Sequence, residues 1–188
     1  MIESSAAMGR MRAAAAAMAF IWAVMSMSLG ARPARAAEAS ELFGAWQLVS
    51  VETIRPNGEI IYPYYGRHPQ GLIVYDLSGW MSVQIVSDPK PTVPTGNSRE
   101  TFRKAPAAQK AIAADGYYAY FGRYTVDAGA ATVTHHLKDS LEPGERGEDF
   151  LRHYSIEQGR LTLLAEVHEM GEVHQRRLVW QRATGGPQ

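Results

Sequence analysis

The chain contains no cysteine, which removes disulfides, thiolate nucleophiles and cysteine-held metals together. Charge of one sign is not in excess either, with 19 basic and 19 acidic residues, so the overall balance draws it neither to nucleic acid nor to anionic lipid. There is no glycine-rich phosphate loop, no Gly-x-Ser-x-Gly elbow and no carboxylate pair at a recognisable catalytic spacing. No catalytic residue, cofactor or metal is assigned on these grounds. Long apolar runs are equally scarce, and the clear one extends from Ala13 to Leu29.

Arg10 and Arg12 precede that run and Ala34-Arg35-Ala36 follows it, the charged, apolar and small-residue order of a secretory signal peptide. A membrane anchor is the competing reading, but a span needs about 20 apolar residues, and this run is short and alanine-rich. Residues 1–36 are expected to be a signal peptide and 37–188 one periplasmic or secreted domain, without stable membrane insertion after cleavage. Four arginines and one glutamate leave with the signal, so the remaining 152 residues carry 15 basic and 18 acidic side chains. An exported domain without disulfides has to hold itself together by burial, for which this length suffices.

Short segments of strand character fill the rest. Trp46 to Val51 is apolar on both faces and is expected to be covered on each. Arg55-Pro56-Asn57-Gly58 turns the chain, and Ile60 to Tyr62 leads into a loop rich in Pro, Tyr and Gly. Gly71–Tyr75 and Gly79–Val86 flank a hairpin signal at Asp76-Leu77-Ser78-Gly79, with glycine where positive φ is needed. Pro89, Pro91 and Pro94 then mark a long loop, and Pro106 opens a helix to about Asp115 that Gly116 stops. Strands follow at Tyr117–Val126, Thr132–Leu141, Asp149–Ile156, Leu161–His168 and Val173–Arg182. About eight strands joined mostly by short turns predict an all-β, antiparallel up-and-down barrel with one short helix, because closure removes exposed edges. The helix either caps one mouth or packs outside.

Gly71-Leu72-Ile73-Val74-Tyr75, Gly79-Trp80-Met81-Ser82-Val83-Gln84, Tyr118–Tyr124, Val133–His136, Leu161-Thr162-Leu163 and Leu178–Arg182 together resemble the bacterial and fungal lipocalin-like domain family. Gly44-Ala45-Trp46 and the closing Arg182 also resemble the pairing with which lipocalins seal one end of their barrel, indole against guanidinium. The resemblance implies a lipocalin-type barrel with no single settled activity. Some barrels of related shape bind hydrophobic small molecules, and others catalyse isomerisations or cyclisations.

Parity chooses the interior, since side chains two apart share a strand face. Tyr118, Tyr120, Gly122, Tyr124 and Val126 form one face, Val133, His135 and Leu137 another, and Phe150, Arg152, Tyr154 and Ile156 a third. His136 then points out. Arg152 is a guanidinium among hydrophobic neighbours, and burying it unpaired would cost several kcal/mol. Arg152-x-Tyr154 is similar to the Arg-x-Tyr pair that holds a carboxylate in intracellular fatty-acid-binding proteins. The alternative is that Arg152 pairs with an inward Glu166 or caps an open end.

Tyr118, Tyr120, Tyr124, His135, Arg152 and Tyr154 are therefore the candidate ligand-binding residues. The expected partner is a small hydrophobic molecule with a polar or anionic head, such as a carboxylate. Two other readings stay open: a cofactor-independent isomerase or cyclase using His135 or Tyr120 as proton donor, and a barrel plugged by its own tyrosines. A two-histidine, one-carboxylate site from Glu166, His168 and His174 would need a five-residue turn between the last strands, and a tighter one would destroy it.

Overall fold

Period-two patterning becomes strand along most of the chain. A computed structural model describes residues 41–92, 98–169 and 171–185; the expected signal peptide over 1–36 and part of the proline-rich loop lie outside them. The strands are β1 (Gly44–Ile54), β2 (Ile60–Ile61), β3 (Gln70–Tyr75), β4 (Trp80–Val86), β5 (Tyr117–Asp127), β6 (Thr132–Ser140), β7 (Asp149–Glu157), β8 (Arg160–Glu169) and β9 (Glu172–Arg182). From β3 onward each strand pairs antiparallel with the next, β1 pairs with β3, and β9 returns to β1. Eight strands thus close an up-and-down barrel, with the two-residue β2 added beside the far end of β1.

The expected helix forms as α2 (Ala107–Asp115), preceded by a further short helix, α1 (Arg99–Lys104), that the proline spacing did not suggest. Ser98 starts α1 with a capping box, its hydroxyl accepting from the Thr101 amide while Thr101 Oγ1 accepts from the Ser98 amide. Neither helix buries a residue. Among the described residues no helix is long and apolar enough to cross a membrane.

One end of the barrel is sealed as the terminal residues suggested. The Arg182 guanidinium lies 4.0 Å over the Trp46 ring and donates to the Phe43 and Glu41 carbonyls at 2.9 and 2.5 Å. Trp46 Nε1 donates to the Leu42 carbonyl at 2.8 Å. Gly44, at φ +115°, makes the corner, where a side chain would meet the arginine. Above this plug Trp46, Ile73, Tyr75, Val133, Leu161, Leu163 and Trp180 form the buried lower core.

The first strand departs from expectation. Val49 is the extra residue of a β-bulge, since Leu48 pairs with Trp180 and Ser50 with Val179. Val49 and Ser50 are therefore both on the outer face, which keeps Trp46 and Leu48 inside and carries Val51 and Thr53 inward. The strand is covered on its inner face alone.

Candidate functional site

The upper half of the barrel is open. A cavity of about 1370 Å³ is bordered at its mouth by Tyr64, Tyr65, Ala114, Glu142 and Arg176, and lined further in by Val51, Val83, Ile85, Tyr118, Tyr120, Phe150, Arg152 and Leu178. The tyrosines that face this space leave it open. The C-terminal turn of α2 reaches the rim through Ala114 and Asp115. The helix borders the mouth and does not cover it.

The wall has a gap as well. β7 and β8 pair only between His153–Glu157 and Arg160–Leu164. Beyond Leu164 β8 continues beside β9, while β7 above His153 continues beside β6. Their upper halves diverge, and outward residues such as Leu151 and Glu166 consequently border the cavity. Glu166 is exposed on the outer face of β8, so the alternative, an inward Glu166 paired with Arg152, does not form.

Parity places the predicted residues as follows. Tyr118, Tyr120 and Arg152 line the cavity. His135 is wholly buried directly behind Tyr120, and His136 points outward to Thr125 and Asp149. Tyr124 lies toward the sealed end, its ring 4.9 Å from that of Tyr75 and its hydroxyl donating to the Asp76 carbonyl. Tyr154 shares the inner face of β7 with Arg152 and packs on the core one row lower. Tyr120 on β5, with β6 between it and Arg152 on β7, feels the charge of that arginine, as does Tyr75.

Arg152 is half-buried with its guanidinium carbon 5.2 Å from the Phe150 ring centre. Among the described residues no carboxylate forms an ion pair with it. Its charge has three effects on its surroundings. Burial first, and then Arg152, hold the His135 pKa well below the usual histidine value, so the imidazole is neutral. Burial raises the Tyr120 pKa while the arginine pulls it down, and the same opposition acts on Tyr75, where burial dominates.

His135 is bonded at both ring nitrogens. Tyr75 Oη lies 2.7 Å from Nε2 and Tyr120 Oη 2.8 Å from Nδ1. A neutral imidazole has one donor and one acceptor, so the two phenols play opposite roles. Tyr75 was not among the expected site residues, although the alternation of Ile73 and Tyr75 against Leu72 and Val74 would have turned it inward. Nearer the mouth, the Tyr118 hydroxyl meets both Glu145 carboxylate oxygens at 2.8 and 2.9 Å, and Ser140 Oγ donates to one of them at 2.6 Å. Burial raises the Tyr118 pKa, and Tyr120 and Glu145 add to it. Glu145 sits in a turn without periodicity, and no sequence signal marks it.

The histidines at the last hairpin separate. Glu169 pairs with Glu172 and Val167 with His174, the tight alternative, which puts His174 inside and His168 out. Among the described residues no cluster of three metal-ligating side chains occurs.

The family comparison agrees with this architecture: the lipocalin-like domain family matches residues 43–183. No curated protein matches the chain.

Proposed function

Because the chain belongs to the lipocalin-like domain family, we propose that it binds a small, mostly apolar molecule in the upper half of its barrel, head group inward against Arg152 and Tyr120. The observation that carries this reading is Arg152, a permanent cation in a cavity wall with no carboxylate partner among the described residues. A bound anion or strong acceptor supplies what the protein withholds. Val51, Val83, Ile85, Phe150 and Leu178 offer the apolar contact, each Å² removed from water contributing about 25 cal/mol before ordering costs. Binding is favoured over isomerisation because both His135 nitrogens are engaged and Glu145 is occupied by Tyr118 and Ser140. No side chain on that list stands free as a base.

The binder acts outside the cytoplasm in this proposal, after cleavage following Ala36. The apolar run 13–29 and the Ala34-Arg35-Ala36 site support that placement, and the mass of the exported protein checks it. A fluorescent fatty-acid analogue titrated into the purified protein tests the binding. Saturable binding that weakens at least tenfold in Arg152→Ala is expected. A probe that fails to saturate, or whose affinity ignores Arg152→Ala, sinks the proposal.

A further inference from the structure

The polarity of the buried Tyr75–His135–Tyr120 chain follows from where it ends. Tyr75 is wholly inaccessible to solvent, and among the described residues its hydroxyl has a single hydrogen-bond partner, His135 Nε2. Were Tyr75 to accept from an Nε2–H, its own O–H would be a buried donor without an acceptor, at a cost of about 1–3 kcal/mol. Tyr75 therefore donates. Nε2 is the acceptor, and the single proton of the neutral imidazole sits on Nδ1.

That proton is donated to Tyr120 Oη, 2.8 Å away. The Arg152 guanidinium lines the same cavity, and its charge opposes the rise that burial gives the Tyr120 pKa. Tyr120 thus accepts from His135, and its own O–H, with no acceptor among the described residues, is left to point into the cavity that it lines. Beside it stands the guanidinium of Arg152. The deep end of the cavity therefore presents a neutral donor and a cationic one, oriented before any ligand arrives, which is the arrangement that stabilises an oxyanion.

The walls narrow the class of anion. Phe150 lies under the guanidinium, and the rings of Tyr118 and Tyr120 stand 5.5 Å apart beside it. Taking a charge from water into such walls costs less when the charge is spread over a planar π-system than when it sits on one compact group. A carboxylate also asks for two donors in one plane, which a guanidinium alone supplies, and would leave the Tyr120 O–H without a role.

We infer that the barrel takes its ligand as the conjugate base of a weak acid of the enol or phenol type, its single oxyanion held between the Tyr120 hydroxyl and the Arg152 guanidinium. This rests on the binding function proposed above. The ligand's O–H bond breaks on capture, the electron pair stays on oxygen, and the proton leaves to solvent. Tyr75 touches no ligand. It is a positioning residue that sets the tautomer of His135 and, through it, the direction of the Tyr120 hydrogen.

The groups facing this oxyanion are Arg152 on β7, Tyr118 and Tyr120 on β5, and Glu145 in the turn after β6, with His135 and Tyr75 behind. The test uses 4-nitrophenol, whose anion is coloured, titrated with pH in the free and protein-bound states. The bound probe is expected to ionise at least one pH unit lower than the free one, equivalent to tenfold tighter binding of the anion. Tyr120→Phe and Arg152→Met should each abolish most of that shift. Tyr75→Phe, which a packing role would leave without effect on the probe's spectrum, should reduce it. An unshifted bound probe, or a shift indifferent to Tyr75→Phe, overturns the inference. If the fluorescent fatty acid still binds in an Arg152-dependent way, the broader binding function survives that result, whereas loss of both removes both.

Discussion

Arg152 and His135 are basic side chains on the inner faces of neighbouring strands, and they end in opposite charge states. The guanidinium cannot shed its proton, so it stays at the cavity wall where a ligand can reach it. The imidazole can, and beside that cation, wholly buried, it does. Its two phenol bonds are part of the core as much as of the site. His135→Leu is expected to cost about 2–4 kcal/mol in urea unfolding, because two buried hydroxyls lose their partner. Tyr75→Phe should cost about 1–2 kcal/mol, since it leaves only Nε2 unpaired. Near-additive losses in the double variant would show that the hydrogen bonds are energetically idle. Parity alone turned His135, Arg152, Tyr118 and Tyr120 inward. It did not reveal that Arg152 and Tyr120 line one cavity while Tyr154, two residues along, lies lower, because strand periodicity carries no information on height within the barrel.

Two bulges tune the strands that bear these residues. On β1 the extra Val49 keeps both Leu48 and Val51 inside. On β6 the pairing slips so that Phe121 meets Asp139 and Gly122 meets Leu137, with Lys138 the extra residue. That slip brings Ser140 opposite Tyr120, from where it reaches Glu145. It also presses backbone against Gly122, where a Cβ would lie 2.0 Å from the His136 carbonyl oxygen. Gly122→Ala should therefore destabilise by about 1–3 kcal/mol in urea unfolding, and a neutral result would show that the β5–β6 ladder yields there. The gap between β7 and β8 makes a different prediction. Tyr154 N–H points to β6, donating to Ala131, so odd-numbered residues of β7 turn toward β8. The Leu151 amide faces the gap and Ser155 faces its partner Thr162. Hydrogen exchange at Leu151 should outpace that at Ser155 by at least about tenfold; equal protection would mean the gap is closed in solution. Strand positions were legible from alternation to within a residue or two, except that β1 runs on to Ile54, three residues past the expected Val51. The bulges were not, since an extra residue satisfies no local pattern and is stabilised only by the neighbouring strand.

Stability of the whole barrel should fall on both sides of neutrality. His135 regains its ordinary pKa near 6.5 on unfolding, so below that pH the unfolded chain binds a proton that the folded one refuses. Its contribution is complete above about pH 6.5 and is lost as pH falls, by about 1.4 kcal/mol per unit until the folded pKa is reached. Tyr75, Tyr118 and Tyr120 have folded pKa values raised above 10, so stability is full below pH 10 and declines as the unfolded phenols ionise. Unfolding midpoints measured across pH should show both limbs, and His135→Leu should flatten the acid limb; an unchanged acid limb would mean another group governs it. At the sealed end Trp46→Ala should cost about 3–5 kcal/mol, because the indole fills the floor and carries the Arg182 contact.

Much of this architecture was written in the linear order of residues. Short alternating segments, turn glycines and the Trp46–Arg182 frame specify an antiparallel barrel, because strand, turn and face are local properties that obey a period of two. Two other matters depended on the closed wall: the two-residue separation of β8 and β9 that parted His168 from His174, and the union of Tyr75, His135, Tyr120 and Arg152 from four strands. Register, bulge placement and contact across a cavity come from strands meeting at long sequence separation, and no window along the chain contains that geometry.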